Sequence, residues 1–167
     1  MKLIIFDLDN TLLDTTGQSH LILNGKIESI VPFNDTLSLL EKLAEAKIHR
    51  ALVTYDTLKE RQFKKIEVLG FISYFEDIYV CERAEEKHDA FKKILKKYPH
   101  IKTKDICVVG DRIDLEIMYG NMLGCETVQL CFGKYSNLKP ENEFQISKHK
   151  IQSIEEIYDL MSITPKN

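Results

Sequence analysis

Two aspartates one residue apart, Asp7 and Asp9, follow directly on the apolar run Leu3-Ile4-Ile5-Phe6. Three further polar positions stand in the same relation to apolar runs or helix starts. Thr54 follows Ala51-Leu52-Val53, Lys87 precedes the helical stretch that holds Phe91, and Asp111 follows Ile106-Cys107-Val108-Val109-Gly110, with Asp114 and Glu116 close behind. Ligands of open α/β sheets bind beyond the carboxyl ends of the strands. If these runs are parallel strands, the acids, the hydroxyl and the ammonium share one rim. Gathered carboxylates repel each other unless a cation binds. An oxygen donor set without Cys or His suits a hard ion, magnesium above all. Such an ion neutralises a transferring phosphoryl group, while an ammonium and a hydroxyl hold its oxygens, so the inventory suits phosphoryl transfer. Each piece alone is ordinary: D-x-D arises by chance and Gly-Asp is a common turn. Their order, each at the end of a run, carries the reading.

The elements that must position these residues are legible as short apolar runs alternating with helical patterns. That alternation predicts an α/β fold with a central, mostly parallel sheet. Strands are expected at Leu3–Phe6, 51–53, 78–80, 106–109 and 127–131. One helical face is marked by Leu37, Leu40, Leu43 and Ala44, with Asn34 or Asp35 as N-cap. A capping box of Thr57 and Glu60 would open a second helix that turns Phe63 and Ile66 inward and stops at Gly70. Phe91, Ile94, Leu95 and Tyr98 mark a third, ended by Pro99. Leu115, Met118, Tyr119 and Met122 mark a fourth. Ser153 and Glu156 would cap the last, with Ile154, Ile157 and Met161 inward. Residues 15–31 lack a strong period and read as a loop or small flap.

The bulk numbers exclude several classes. A chain of 167 residues, 44% hydrophobic and 29% charged, suits one globular domain, taken as residues 1–167. A net charge of −3 leaves no general footprint for nucleic acid. No stretch approaches the apolar length of a membrane span, and the first residues do not form a signal peptide. The four cysteines, Cys81, Cys107, Cys125 and Cys131, form no C-x-x-C pair and read as reduced core thiols of a cytoplasmic protein. Lys92, Lys93, Lys96 and Lys97 read as a solvated helix face.

The residues together resemble the haloacid dehalogenase superfamily. Ile4-Ile5-Phe6-Asp7-Leu8-Asp9-Asn10-Thr11 resembles its hhhDxDxT motif, and Leu52-Val53-Thr54 its second motif. Lys87 resembles the third, and Gly110-Asp111-Arg112-Ile113-Asp114-Leu115-Glu116 the fourth. Gly133-Lys134-Tyr135 and the ending 151–161 are similar to members as well. The resemblance implies a Rossmann-like three-layer sandwich. It also implies that Asp7 attacks phosphorus, that Asp9 serves as general acid and base, and that Thr54 and Lys87 grip the phosphoryl oxygens. Mg2+ would be held by Asp7, Asp9 (through its backbone carbonyl) and Asp111. The second acid of the fourth motif is Asp114 or Glu116, with Glu116 at the commoner spacing and acting through metal-bound water. The acid at position 9 separates phosphate-ester hydrolysis from the dehalogenases, which lack it.

Many members carry a cap domain after the first motif or between the second and third. Residues 15–31 are too few for one, and residues 55–86 are used up by one helix and one strand, so no sizeable cap is expected. An open site suits a macromolecular phosphoester. A small metabolite would need a neighbouring subunit of a homo-oligomer to cover the site. Two competing readings are a receiver-like signalling module and a silent phosphate-binding protein. The D-x-D spacing speaks against the first, and the intact set of Asp7, Asp9, Thr54, Lys87 and Asp111 against the second. Tyr55, directly after Thr54, either faces substrate or packs as a half-buried aromatic.

Overall fold

The computed structural model describes residues 1–162, with side chains through residue 160. Six strands form one sheet in the order β3-β2-β1-β4-β5-β6, and every neighbouring pair is parallel. They are β1 (Leu3–Phe6), β2 (His49–Tyr55), β3 (Asp77–Cys81), β4 (Ile106–Gly110), β5 (Glu126–Leu130) and β6 (His149–Ile151). The three-residue β6 carries His149 and Lys150 exposed, and so lacks the apolar run that marks the others.

Alternation along β1 builds the three layers. Ile4 and Phe6 point to one face, where they meet Leu39, Leu40 and Leu43 of α2 (Thr36–Glu45), Ile66 of α3 (Lys59–Val68) and Ile157 of α6 (Glu156–Ser162). Leu3 and Ile5 point to the other, against Phe91 and Ile94 of α4 (Glu86–Lys97) and half-buried Tyr119 of α5 (Met118–Met122). Burial on both faces is why these strands read as continuous apolar runs. The remaining helix, α1 (Ser19–Leu23), buries none of its residues, although Leu21 and Ile22 rest against the core. Residues 15–31 thus hold this short helix and a 3-10 turn at Ile27–Ser29.

Several helix phases differ from the sequence expectation. Leu37 and Ala44 are exposed, and α2 turns Thr36 and Leu39 inward in their place. Phe63 is 51% exposed, and Gln62 and Lys65 take the inward face of α3. Met122 is exposed, while Gly120 packs so tightly against β4 and β5 that a methyl there would meet Thr127 Cγ2 at 2.8 Å. The Thr57–Glu60 capping box does not form: the side chain of Asp56 accepts from the Leu58 amide at 2.9 Å instead. Asp35 precedes α2 in the left-handed region and makes no side-chain cap. Glu156 does accept from the Ser153 amide at 2.8 Å. Met161 lies outside the described side chains. The four cysteines are free thiols. Among the described residues no helix is long and apolar enough to cross a membrane.

Candidate active site

β1 is the centre of the sheet, flanked by β2 and β4, and its register sets Phe6 opposite both Leu52 and Val109. The residues that follow these three strands therefore emerge side by side. Asp7 continues β1 by donating its amide to the Val109 carbonyl at 3.0 Å. Asn10 then turns the chain in the left-handed region (φ 55), and its side-chain oxygen accepts from the amide and hydroxyl of Thr16, both at 3.0 Å. Asp7, Thr54, Lys87, Asp111 and Glu116 are all buried, and Asp9 is half-buried at the rim. A cleft of about 540 Å³ opens over them and over Tyr55, Arg112, Lys134 and Tyr135.

Three carboxylates converge at the bottom. Oxygens of Asp7, Asp111 and Glu116 lie within 4.8 Å of one another. The Lys87 ammonium donates to Asp7 Oδ1 at 2.6 Å and makes a short bond to Glu116 Oε1. Burial alone would pull this ammonium down, but Asp7 and Glu116 outweigh it and hold Lys87 above its ordinary value. One ammonium does not balance three acids. Burial pushes the Asp7 carboxyl up to about 7, against the lowering effect of Lys87 and with Glu116 and Asp9 adding to the rise. Burial, together with Asp7 and Glu116, pushes Asp111 up to about 8. Asp111 Oδ2 and Glu116 Oε2 are buried without a hydrogen-bond partner. Orphaned, convergent carboxylate oxygens are the donor set of a hard divalent cation, so the residues present fit magnesium.

The backbone places Asp114 and Glu116 differently. Residues Ile113–Ile117 form a π-helical turn, and the Ile117 amide donates to the Arg112 carbonyl five residues back at 3.3 Å. That wider turn returns position 116, not 114 or 115, to the side of Asp111. Asp114 points away and binds Arg112 at 3.0 and 2.5 Å, which holds its carboxyl below the usual range. Glu116 is thus the acid that lies beside Asp7 and Asp111, while Asp114 is paired with Arg112.

Gly110 makes room for this arrangement. A methyl there would come within 2.5 Å of Glu116 Cγ and 2.6 Å of its Cβ. Gly110→Ala is expected to cost about 1–3 kcal/mol, as overpacking does. Denaturant unfolding of the two proteins measures it, and an unchanged midpoint would show that Glu116 can retreat freely.

Thr54 and Asp9 are joined by residues that the sequence reading passed over. Gln62 Nε2 donates to Asp9 Oδ2 and to Thr54 Oγ1, both at 2.6 Å. Asp9 Oδ1 accepts from Lys65 Nζ at 2.9 Å and from the Thr15 hydroxyl at 2.5 Å. Asp56 binds Arg61 at 2.8 and 2.6 Å and lies 3.9 Å from Lys65. The signal available in the sequence was the i, i+3, i+4 spacing of Gln62, Lys65 and Ile66, hidden by placing the apolar Phe63 inward. Tyr55 does line the cleft, with the Lys87 ammonium 5.9 Å from its ring centre. Five acids (Asp7, Asp9, Asp56, Asp111, Glu116) face five bases (Arg61, Lys65, Lys87, Arg112, Lys134) around the cleft. A divalent cation added to that balance leaves the cleft suited to a dianion.

The arrangement has relatives. Residues 20–130 match a family described as haloacid dehalogenase-like hydrolase. The match starts beyond Asp7 and Asp9, which stand on their position at the end of β1. A glyceraldehyde 3-phosphate phosphatase of Methanocaldococcus jannaschii is 27% identical over 146 residues, covering 86% of this chain and 62% of that protein. One of the same name from Methanopyrus kandleri is 25% identical over 138 residues, covering 81% of this chain and 59% of that protein. The chain thus spans about six-tenths of the length of these curated relatives. Among solved structures, the HAD-hydrolase YfnB from Bacillus subtilis, bound to magnesium, superposes with a TM-score of 0.78 at 16% identity, over 97% of this chain and 99% of that one. The L-2-haloacid dehalogenase of Xanthobacter autotrophicus does so at 0.69 and 10% identity, over 99% of this chain and 100% of that one. These two likenesses speak to the fold. With two-thirds of its length matched by the family and its six parallel strands in the arrangement above, the chain belongs to the haloacid dehalogenase-like hydrolases.

Proposed function

We propose that this protein is a magnesium-dependent phosphomonoester hydrolase that works through an aspartyl-phosphate on Asp7. The observation that carries the reading is the buried triad of Asp7, Asp111 and Glu116, with two oxygens left unpartnered beside Lys87. Asp7, Asp111 and the Asp9 backbone carbonyl would hold the ion, with Glu116 beside them. When bound, the ion supplies charge neutralisation for the transferring phosphoryl group.

The chain's own residues do the rest. The free oxygen of Asp7 forms a bond to phosphorus as the bond from phosphorus to the leaving oxygen breaks. Asp9 gives its proton to that leaving oxygen. Water then attacks the same phosphorus, passes a proton to Asp9, and the phosphorus–Asp7 bond breaks to release phosphate. The Thr54 hydroxyl already accepts from Gln62, so its own hydrogen is free to donate to a phosphoryl oxygen. Lys87 holds Asp7 in place and supplies positive charge beside it.

The names of the two curated relatives support a small phosphorylated metabolite as substrate. The short spans around the cleft support a second class, a macromolecular phosphoester. Between β1 and α2 stand only α1 and one 3-10 turn. Between β2 and α4 stand only α3, a 3-10 turn and β3. On this reading residues 1–167 are one core without a cap, and residues 15–31 are a flap in its place. The free thiols suit a cytoplasmic enzyme.

The purified protein is expected to hydrolyse p-nitrophenyl phosphate with magnesium and to lose that activity in EDTA. Glyceraldehyde 3-phosphate and a phosphopeptide, assayed alongside, separate the two substrate classes. Inactivity on every ester with magnesium present would overturn the hydrolase reading in favour of a silent phosphate-binding protein.

A further inference from the structure

Gln62 is fully buried and half satisfied. Both hydrogens of its carboxamide are used, on Asp9 Oδ2 and Thr54 Oγ1, while its Oε1 is buried without a partner. An orphaned buried oxygen costs stability, and a methionine of similar length would fill the space without that cost. Nothing in the packing of α3 calls for a carboxamide, because the neighbouring inward residue Ile66 meets the apolar core. What the carboxamide does is tie two functional side chains from different strand ends to one rigid helix.

Lys65 stands three residues on, one helical turn along the same face. It is 3% exposed, and its ammonium meets the other oxygen of Asp9 at 2.9 Å. Thr15 closes the set on that oxygen. Both oxygens of Asp9 are thus fixed from outside the loop that carries it. That loop turns at Asn10 in the left-handed region and so offers Asp9 no regular ladder of its own.

We propose that Gln62 and Lys65 are positioning residues that set Asp9 relative to Thr54, so that acid assistance reaches the oxygen leaving the phosphoryl group held at Thr54. The inference rests on the phosphohydrolase reading above. It assigns to α3 a part in the reaction that the acids and Lys87 do not supply.

The test uses two esters that differ in their need for a proton. p-Nitrophenolate leaves without much help, whereas the alkoxide of glycerol 2-phosphate requires protonation. Gln62→Met and Lys65→Met are each expected to lower kcat on glycerol 2-phosphate by about tenfold or more, in the range of lost supporting contacts. On p-nitrophenyl phosphate the rate of the p-nitrophenolate burst, which precedes the water step that Asp9 serves as base, should fall by about threefold or less. Gln62→Met should keep or raise the thermal midpoint while its activity falls. In an Asp9→Asn background, neither substitution should lower turnover further.

Equal losses on both esters, with a lowered midpoint, would mean that the two residues only stabilise the fold and would overturn the proposal. Should Lys65→Met fail to fold, Gln62→Met carries the comparison alone, since it leaves no buried charge unpaired. An unmodified protein inactive on both esters would remove the hydrolase reading, and this inference with it. An active one with uniform losses would remove the inference alone.

Discussion

Asp7→Asn is expected to lower kcat by at least about 10³-fold, the scale on which loss of a nucleophile is felt. The substitution is nearly isosteric, and the amide oxygen can still accept from Lys87, so the fold should survive. The amide cannot form the bond to phosphorus that the carboxylate forms. The structure adds a second expectation for the same variant. Burial makes the ionised Asp7 costly in the metal-free protein, where its carboxyl is pushed up to about 7. Asparagine removes that cost, so in EDTA at pH 8 the variant should melt higher than the parent. Measured together, turnover and melting temperature should move in opposite directions. Full activity in Asp7→Asn would refute the nucleophile assignment.

The second large effect joins magnesium to pH. The folded carboxyls of Asp7 and Asp111 stand at about 7 and about 8, against an ordinary value of 3.8. A raised carboxyl means that the folded protein holds protons which the unfolded chain has released. The metal-free protein is therefore most stable at low pH with respect to these groups. It loses that contribution as pH rises from about 4 through 7 to 8. On the proposed reading, magnesium would bind the ionised form and compete with those protons. Its stabilising increment should be larger at pH 8 than at pH 6, by up to about 1.4 kcal/mol per pH unit for each proton displaced. Thermal melts at both pH values, with magnesium or EDTA, measure it. Asp111→Asn and Glu116→Gln should each shrink the increment. An increment as large at pH 6 as at pH 8 would mean that the ion does not displace these protons.

Most of this architecture was legible because burial on both faces writes itself as apolar runs. β1 was readable to the residue, and Asp7, Thr54 and Asp111 follow from the strand ends. β6 was not, because two of its three residues are exposed. The phase of α3 was lost for a related reason. Phe63 is the more apolar residue, yet it faces solvent, and the helix turns Gln62 and Lys65 toward Asp9. A pattern that equates inward with apolar fails where the inward face serves a polar site. The fourth motif left Asp114 and Glu116 open for another reason. Motif spacing favoured Glu116 without saying how the chain returns it to Asp111, and the π-helical turn at Ile113–Ile117 supplies that path. The partners of Asp9, Gln62 and Lys65, come from more than fifty residues along the chain, belong to tertiary geometry and leave little trace in any local pattern.

The helix α1 divides the chain's obligations. Ser19 and the loop residues Thr15 and Thr16 line the cleft, yet none of the helix's residues is buried. The segment 14–31 thus borders the cleft and is anchored to the core by the buried Ile30, with Leu21, Ile22 and Ile27 packed beside it. Its hydrogen bonds run mostly within residues 14–31, including the paired bonds between the Gln18 side chain and the backbone of Val31, both at 2.8 Å. Core anchor and cleft border thus share one short segment, in which the exposed residues are the ones free to vary.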